Sequence, residues 1–196
     1  LSLAYVILAA NNNRWCWPAA FFSTLIYAVI FYDVQLLMDS ALQLYYLAMA
    51  VYGWWCWRQG KSYDDTSIRI EPTDLKISQR KLLFHVRSCA ILTVVSFGWG
   101  WFMANYTDAS FPYLDTFTTV FAVFATYLVT QRVLENWLYW IVIDFVSIYL
   151  YVSKGLMPTA VLFGLYVFIA GFGYYRWLVL FKLEQSQYNN TSFASH

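Results

Sequence analysis

The chain has 196 residues, 61% of them apolar and 22% aromatic, and only 12% charged, against about 25% charged in an ordinary soluble domain. A soluble fold of this length would need many more charges to wet its surface, which argues against a soluble enzyme or a nucleic-acid binder and for an all-α membrane protein. The formal net charge of +1 points to no polyanionic partner.

A spanning helix needs about 20 mostly apolar residues, and seven segments are predicted, at 1–12, 17–33, 36–57, 82–104, 113–131, 136–153 and 156–180. The first is short, and because the chain does not begin with Met the numbering is expected to start inside a longer protein. Helix two opens with Trp15-Cys16-Trp17-Pro18, a proline suited to a first helical turn. Helix three aligns Asp39, Gln43, Tyr46 and Ala50 on one face, with Asp39 near the outer end where it would also serve as a cap. A polar loop follows from Arg58 to Lys81. Helix four carries Gly98-Trp99-Gly100-Trp101, whose glycines permit close helix packing. The sequon Asn105-Tyr106-Thr107 falls in a predicted outer loop. Helix six places Asn136, Trp140, Asp144 and Ser147 at steps of 4, 4 and 3, a polar and aromatic face. After Lys182 the tail is polar and predicted to fray.

Seven spans put successive loops on alternating sides, and basic residues mark the cytoplasmic one. With the 58–81 loop inside, Arg14, Arg58, Lys61, Arg69, Lys76, Arg80, Lys81, Arg87, Arg132, Arg176 and Lys182 share that side, and Lys154 alone lies outside. The N-terminus is thus expected outside and the C-terminus inside.

The chain also resembles itself. Tyr46, Ala50, Gly53 and Trp57 match Tyr166, Ala170, Gly173 and Trp177 at an offset of 120, while Trp15 and Tyr27 match Trp137 and Tyr149 at 122. A chain this rich in Tyr and Trp also yields chance matches. The topology weighs against chance, because one extra helix, 82–104, separates two three-helix units and makes them run the same way. The expectation is one membrane domain over 1–196, with a first repeat at 1–57, a linking helix and a second repeat at 113–180. Parallel repeats of this kind build carriers, with the site near the midplane.

Ionisable groups in hydrocarbon are costly and are functional candidates by default. Asp144 is the strongest, although a bond to a neighbouring helix would also account for it. Aromatic rings attract and stack on a flat cation, and Asn or Gln amides hydrogen-bond hydroxyls. The 10 Trp, 17 Tyr and 16 Phe exceed the needs of interface anchoring, so some are expected to line such a site. Catalytic constellations are scarce. His85 sits at a boundary and His196 is terminal; Cys16, Cys56 and Cys89 have no C-x-x-C spacing; Gly60-Lys61-Ser62 lacks the first glycine of a phosphate loop, with Trp55 in its place. No catalytic residue, metal ligand or cofactor is expected.

The strings Asn13-Arg14-Trp15-Cys16-Trp17-Pro18, Asp39-Ser40-Ala41-Leu42-Gln43 with Val51-Tyr52-Gly53-Trp54-Trp55, and Glu135-Asn136-Trp137-Leu138-Tyr139-Trp140 leading to Asp144 resemble the PnuC nicotinamide riboside transporters of bacteria. The resemblance runs over nearly the whole chain. It implies a 3+1+3 helix arrangement similar to SWEET sugar transporters, an inner-membrane location, a homotrimer, and facilitated diffusion with trapping by a separate cytoplasmic riboside kinase. It also maps the W-x-x-W string onto Trp137 and Trp140, with Asn136 beside it as a ribose or amide partner. The facing-helix argument adds Trp17, Gln43, Tyr46, Asp144 and Tyr166 as substrate-binding residues. Another cationic vitamin such as thiamine is the rival substrate; a structural membrane protein is the second class, and a membrane enzyme the weakest. Pro18 and Pro158, with Gly53 and Gly173, are the expected pivots of a rocking motion between the units.

Overall fold

The computed structural model describes residues 1–33, 37–58, 77–107 and 111–194, with side chains described except at 30–33, 37–41 and 187–194. It contains the helices α1 (Ser2–Ala10), α2 (Cys16–Asp33), α3 (Leu37–Arg58), α4 (Leu82–Tyr106), α5 (Pro112–Thr130), α6 (Asn136–Ser153) and α7 (Met157–Ala194). The all-helical expectation with seven helices is met. Most of the polar loop, with Lys61, Arg69, Lys76 and Gly60-Lys61-Ser62, lies outside the described residues, as do Gln35, His196 and the side chain of Asp39.

Two boundaries differ from expectation. The tail expected to fray continues as helix to Ala194, because backbone bonding propagates cheaply once a long helix is nucleated. Asn105 lies in the last turn of α4, its Nδ2 donating to the Trp101 carbonyl at 2.7 Å, and only Thr107 of the sequon is outside the helix. By length and hydropathy α4, α5, α6 and α7 each suffice to cross a membrane, and the described part of α2, Cys16–Val29, is apolar as well.

The helices close into a ring. Contacts run α1 to α2, α2 to α3, α3 to α5, α5 to α6, α6 to α7, and α7 back to α1, while α4 packs on the outside of the ring, mainly on α5 and through His85 and Cys89 on Tyr139 of α6. Gly100 makes that attachment, since a Cβ there would come within 2.6 Å of Tyr113; Gly98 faces open space. Of the two glycines expected to allow close packing, one does so.

Every ring contact recurs 120 residues later. Helices α2 and α6 begin at Cys16 and Asn136 and end at Asp33 and Ser153, and α1 and α5 end at Ala10 and Thr130. Both latter ends close with the same hydrogen bonds, Asn12 to Ala9 and Asn13 to Leu8 in one, Arg132 to Val129 and Val133 to Leu128 in the other. These are Schellman turns, and the residue that turns the corner, Asn12 or Arg132, has φ of 51° in each. The geometry corrects the offset of 122. Trp17, rather than Trp15, is the counterpart of Trp137: each indole lies over a glycine of the next helix, Gly53 or Gly173. Trp15 is instead more than half exposed and packs on Trp54 at 5.7 Å. The matched glycines therefore seat tryptophan rings, a packing role that needs no hinge.

At this end of the ring four indoles form a layer. Trp17 meets Trp57 edge to face at 5.5 Å and 87°, Trp137 meets Trp177 at 5.5 Å and 89°, and Trp57 touches Trp177 at 6.2 Å. Edge-to-face pairs add about 0.5–1.5 kcal/mol each beyond the area they bury. Segment 77–80 straps the layer from outside, with Ser78 bonded to the carbonyl of Arg132 and the N–H of Leu134 at 2.9 and 2.8 Å.

Candidate functional site

Inside the ring is a cavity of about 330 Å³ lined by α1, α2, α3, α5, α6 and α7, at the low end of the roughly 300–1,000 Å³ of small-molecule sites. Trp17 and Trp137 form its floor over the indole layer. Their indole N–H groups are buried and have no acceptor among the described residues. Tyr46 and Tyr166 stand opposite each other at matched positions, and Gln43, Trp140 and Asp144 complete the expected set. Seven of the eight expected residues thus line one cavity: Trp17, Gln43, Tyr46, Trp137, Trp140, Asp144 and Tyr166.

Asn136 does not. It is fully buried, and its Nδ2 donates to the Val133 carbonyl at 2.6 Å, so it closes the turn into α6 and shapes the floor from behind. Its spacing puts it on one face with Trp140 and Asp144, but it is the first residue of α6, a turn before Trp140, where the bend at Val133 covers it. Its counterpart 120 residues earlier is Cys16, also buried.

The cavity walls also include residues that the sequence reading left out. Ser2 and Ser23 share a hydrogen bond of 2.9 Å across α1 and α2. Thr24 donates its hydroxyl to the Ala20 and Phe21 carbonyls at 2.9 and 3.1 Å, leaving its oxygen free to accept. Phe163, Tyr5 and Tyr27 add aromatic surface. An offset of 120 carried through helix two would have paired Thr24 with Asp144 and marked α2 as lining; the offset of 122 hid it.

Electrostatically the cavity is one-sided. Asp144 is 4% exposed, no lining residue is Lys, Arg or His, and no described cation forms an ion pair with it. A carboxylate held in so little water favours a cation brought by a ligand. The nearest structural cation lies below the floor. Arg132 stacks its guanidinium over Trp57 at 4.7 Å and donates to the Trp57 carbonyl at 3.2 Å. Burial lowers its guanidinium to about 10, still charged at neutral pH.

A second polar cluster lies outside the ring. His85 on α4 bonds Tyr139 at 3.0 Å and approaches Glu135 at 3.6 Å, and so ties α4 to the turn before α6. Among the described residues no group of His, Cys, Asp and Glu has the spacing of a metal site.

The sequence model of the family described as nicotinamide mononucleotide transporter matches residues 1–179. The nicotinamide riboside transporter PnuC of Escherichia coli (strain K12) is 24% identical over 170 residues, covering 78% of this chain and 71% of that protein. The riboflavin/roseoflavin transporter RibM of Streptomyces davaonensis is 24% identical over 180 residues, covering 90% and 80%. A crystal structure of the vitamin B3 transporter PnuC superposes with a TM-score of 0.72 at 21% identity, covering 92% of this chain and 78% of that one.

Proposed function

The chain belongs to the nicotinamide mononucleotide transporter family, a family of membrane transporters and not of enzymes, and from that premise we propose that it carries nicotinamide riboside across the bacterial inner membrane by facilitated diffusion. The observation that carries the choice of substrate is the charge of the cavity: one buried carboxylate, Asp144, and no basic residue in the lining. The riboside is a cation with a flat aromatic ring and a hydroxylated sugar. Its ring is suited to Trp140 and the paired tyrosines, its charge to Asp144, and its hydroxyls to Gln43 and Thr24. The mononucleotide adds a phosphate, which this lining has no cation to receive. A flavin, the cargo named for RibM, is larger and uncharged, and neither the small volume nor the carboxylate favours it.

The finer architecture belongs to the same proposal. Two three-helix units, 1–57 and 113–180, joined by the linking helix, form a 3+1+3 parallel repeat similar to SWEET transporters. The recurrence of every ring contact at one offset supports this reading. The N-terminus lies outside and the C-terminus inside; Arg14, Arg58, Arg132 and Arg176 gather near the indole layer, in keeping with a cytoplasmic face. Lys154, the exception, is ion-paired with Asp115 at 3.2 Å at the far end. Assembly as a homotrimer agrees with the wide apolar face that α4 leaves exposed among the described residues. Net uptake by a uniporter needs a sink, which a cytoplasmic riboside kinase supplies. The test is uptake of labelled riboside by proteoliposomes without ion gradients. Saturable equilibration is expected; a strict requirement for a sodium or proton gradient would overturn the uniport reading.

A further inference from the structure

Among the described residues, the strap at 77–80 is bonded to one unit. Ser78 pairs with Val133 as a parallel bridge, its N–H donating to the Arg132 carbonyl at 2.9 Å and its carbonyl accepting from the Leu134 N–H at 2.8 Å. The Ile77 N–H donates to the Glu184 carboxylate at 3.3 Å, and the Arg80 N–H to the Glu135 carboxylate at 3.4 Å. Arg132, Leu134 and Glu135 lie in the turn between α5 and α6, and Glu184 lies on α7, so all four partners belong to the second unit or to the continuation of its last helix.

The side chains of the strap divide differently. Gln79 and Arg80 are exposed, whereas Ile77 is 4% exposed and joins the apolar cluster that holds Cys16 and the four indoles of Trp17, Trp57, Trp137 and Trp177. Ile77 is the strap's one apolar residue, and the apolar surface it removes from water favours that position. Backbone bonds thus tie the strap to one unit, while a single side chain presses it onto a layer built by both. The two kinds of contact respond differently to motion: backbone pairing fixes one register, whereas apolar contact is non-directional and is remade after sliding.

We propose that segment 77–80 is a lid over the indole layer, hinged on the second unit, with Ile77 as its seal. When the units part at this end, the strap stays bonded to the 131–135 turn and to Glu184, and the apolar contact of Ile77 is the part that gives. A route from the cavity at this end then has two closures in series, Trp57 with Trp177 and, outside them, the lid. The hinge rests on the reading that the two units move against each other; neither it nor the seal depends on the identity of the substrate.

Accessibility of Cys16 tests the seal. In a Cys56→Ser, Cys89→Ser background it is the single cysteine of the chain, and its labelling is followed with a water-soluble maleimide added on the side of the indole layer. Ile77→Ala is expected to quicken labelling by about tenfold, as for the loss of part of one buried aliphatic side chain. Ser78→Pro, which removes the N–H given to Arg132, is expected to act in the same direction by loosening the strap, and Gln79→Ala on the exposed side to change nothing. Either of the first two decides the matter alone should the other fail to fold, and unchanged labelling overturns the seal. A cross-link tests the hinge. With the three native cysteines replaced, Ser78→Cys and Val133→Cys place thiols across the bridge, where the strand spacing of about 4.8 Å lies inside the Cα range of a disulfide. Uptake of labelled riboside by proteoliposomes should survive oxidation, because the lid rides with the turn. Loss of uptake on oxidation, restored by reductant, would overturn the hinge. Absence of riboside uptake before oxidation would count against the substrate reading alone, and the lid would stand or fall on the labelling rates.

Discussion

Trp57 and Trp177 touch with ring centroids 6.2 Å apart, and each donates its indole N–H to the carbonyl of another helix, Trp57 to Thr130 of α5 at 3.2 Å and Trp177 to Ala9 of α1 at 3.1 Å. The two bonds form a latch that joins α3 to the end of α5 and α7 to the end of α1. A path from the cavity past this layer is expected to open only when both bonds break.

Phenylalanine at both positions keeps rings and removes both donors. With each net bond contributing about 0.5–1.5 kcal/mol, the double variant Trp57→Phe, Trp177→Phe is expected to favour the state open at this end by roughly tenfold. Cys16 reports it: the thiol is fully buried beside the layer. In a Cys56→Ser, Cys89→Ser background, its labelling by a water-soluble maleimide added on the side of the indole layer should quicken by that factor. An unchanged rate would show that the latch does not control access.

Glycine substitutions separate packing from propensity. Alanine at Gly173 would bring a Cβ within 2.8 Å of Trp137, and at Gly53 it would collide with Trp17. Overpacking of this kind costs about 1–3 kcal/mol. Gly98 faces open space, so Gly98→Ala should be neutral or gain up to about 1 kcal/mol of helix propensity. Thermal unfolding in detergent should rank Gly53→Ala and Gly173→Ala well below wild type, and Gly98→Ala at or above it.

Arg132 combines strain with a useful side chain. Its φ of 51° is left-handed, which costs a non-glycine residue about 1 kcal/mol or more, while its guanidinium stacks on Trp57 and bonds the Trp57 carbonyl. Arg132→Ala loses the contacts and keeps the strain; Arg132→Gly loses the contacts and relieves it. The glycine variant should be the more stable of the two by about 1 kcal/mol, read from unfolding midpoints. The reverse order would mean that the turn is not held in this conformation.

The Asp115–Lys154 pair is part-exposed, with side chains 40% and 29% accessible. Pairs of this kind contribute about 0–1 kcal/mol. Lys154→Gln is expected to lower the unfolding temperature little and to leave uptake intact, whereas a strong loss of uptake would give the pair a gating role.

Much of this was legible in the sequence, for reasons that lie in particular residues. Helix spans follow from hydropathy, and Gln43, Tyr46, Asp144 and Tyr166 fall on inward faces because helical periodicity ties spacing to direction. The two tryptophans that floor the cavity were found for different reasons, Trp137 through the W-x-x-W string and Trp17 through its place on the facing helix. Three things escaped. Asn136 shares the spacing of Trp140 and Asp144, and only its burial and its bond to the Val133 carbonyl in the turn before α6 show that it does not line the cavity. Trp15 displaced Trp17 as the repeat partner of Trp137, because letters alone cannot tell which indole lies over a glycine. The closed ring with α4 outside depends on contacts between helices distant in sequence, which no local pattern encodes.

A cavity with one buried carboxylate and no basic lining residue should select the riboside cation over its phosphorylated form. Titrating nicotinamide riboside and nicotinamide mononucleotide into the purified wild-type protein measures that selection. Saturable binding of the riboside is expected, with the mononucleotide at least about tenfold weaker, the scale of one unfavourable buried charge. Equal or tighter binding of the mononucleotide would contradict it.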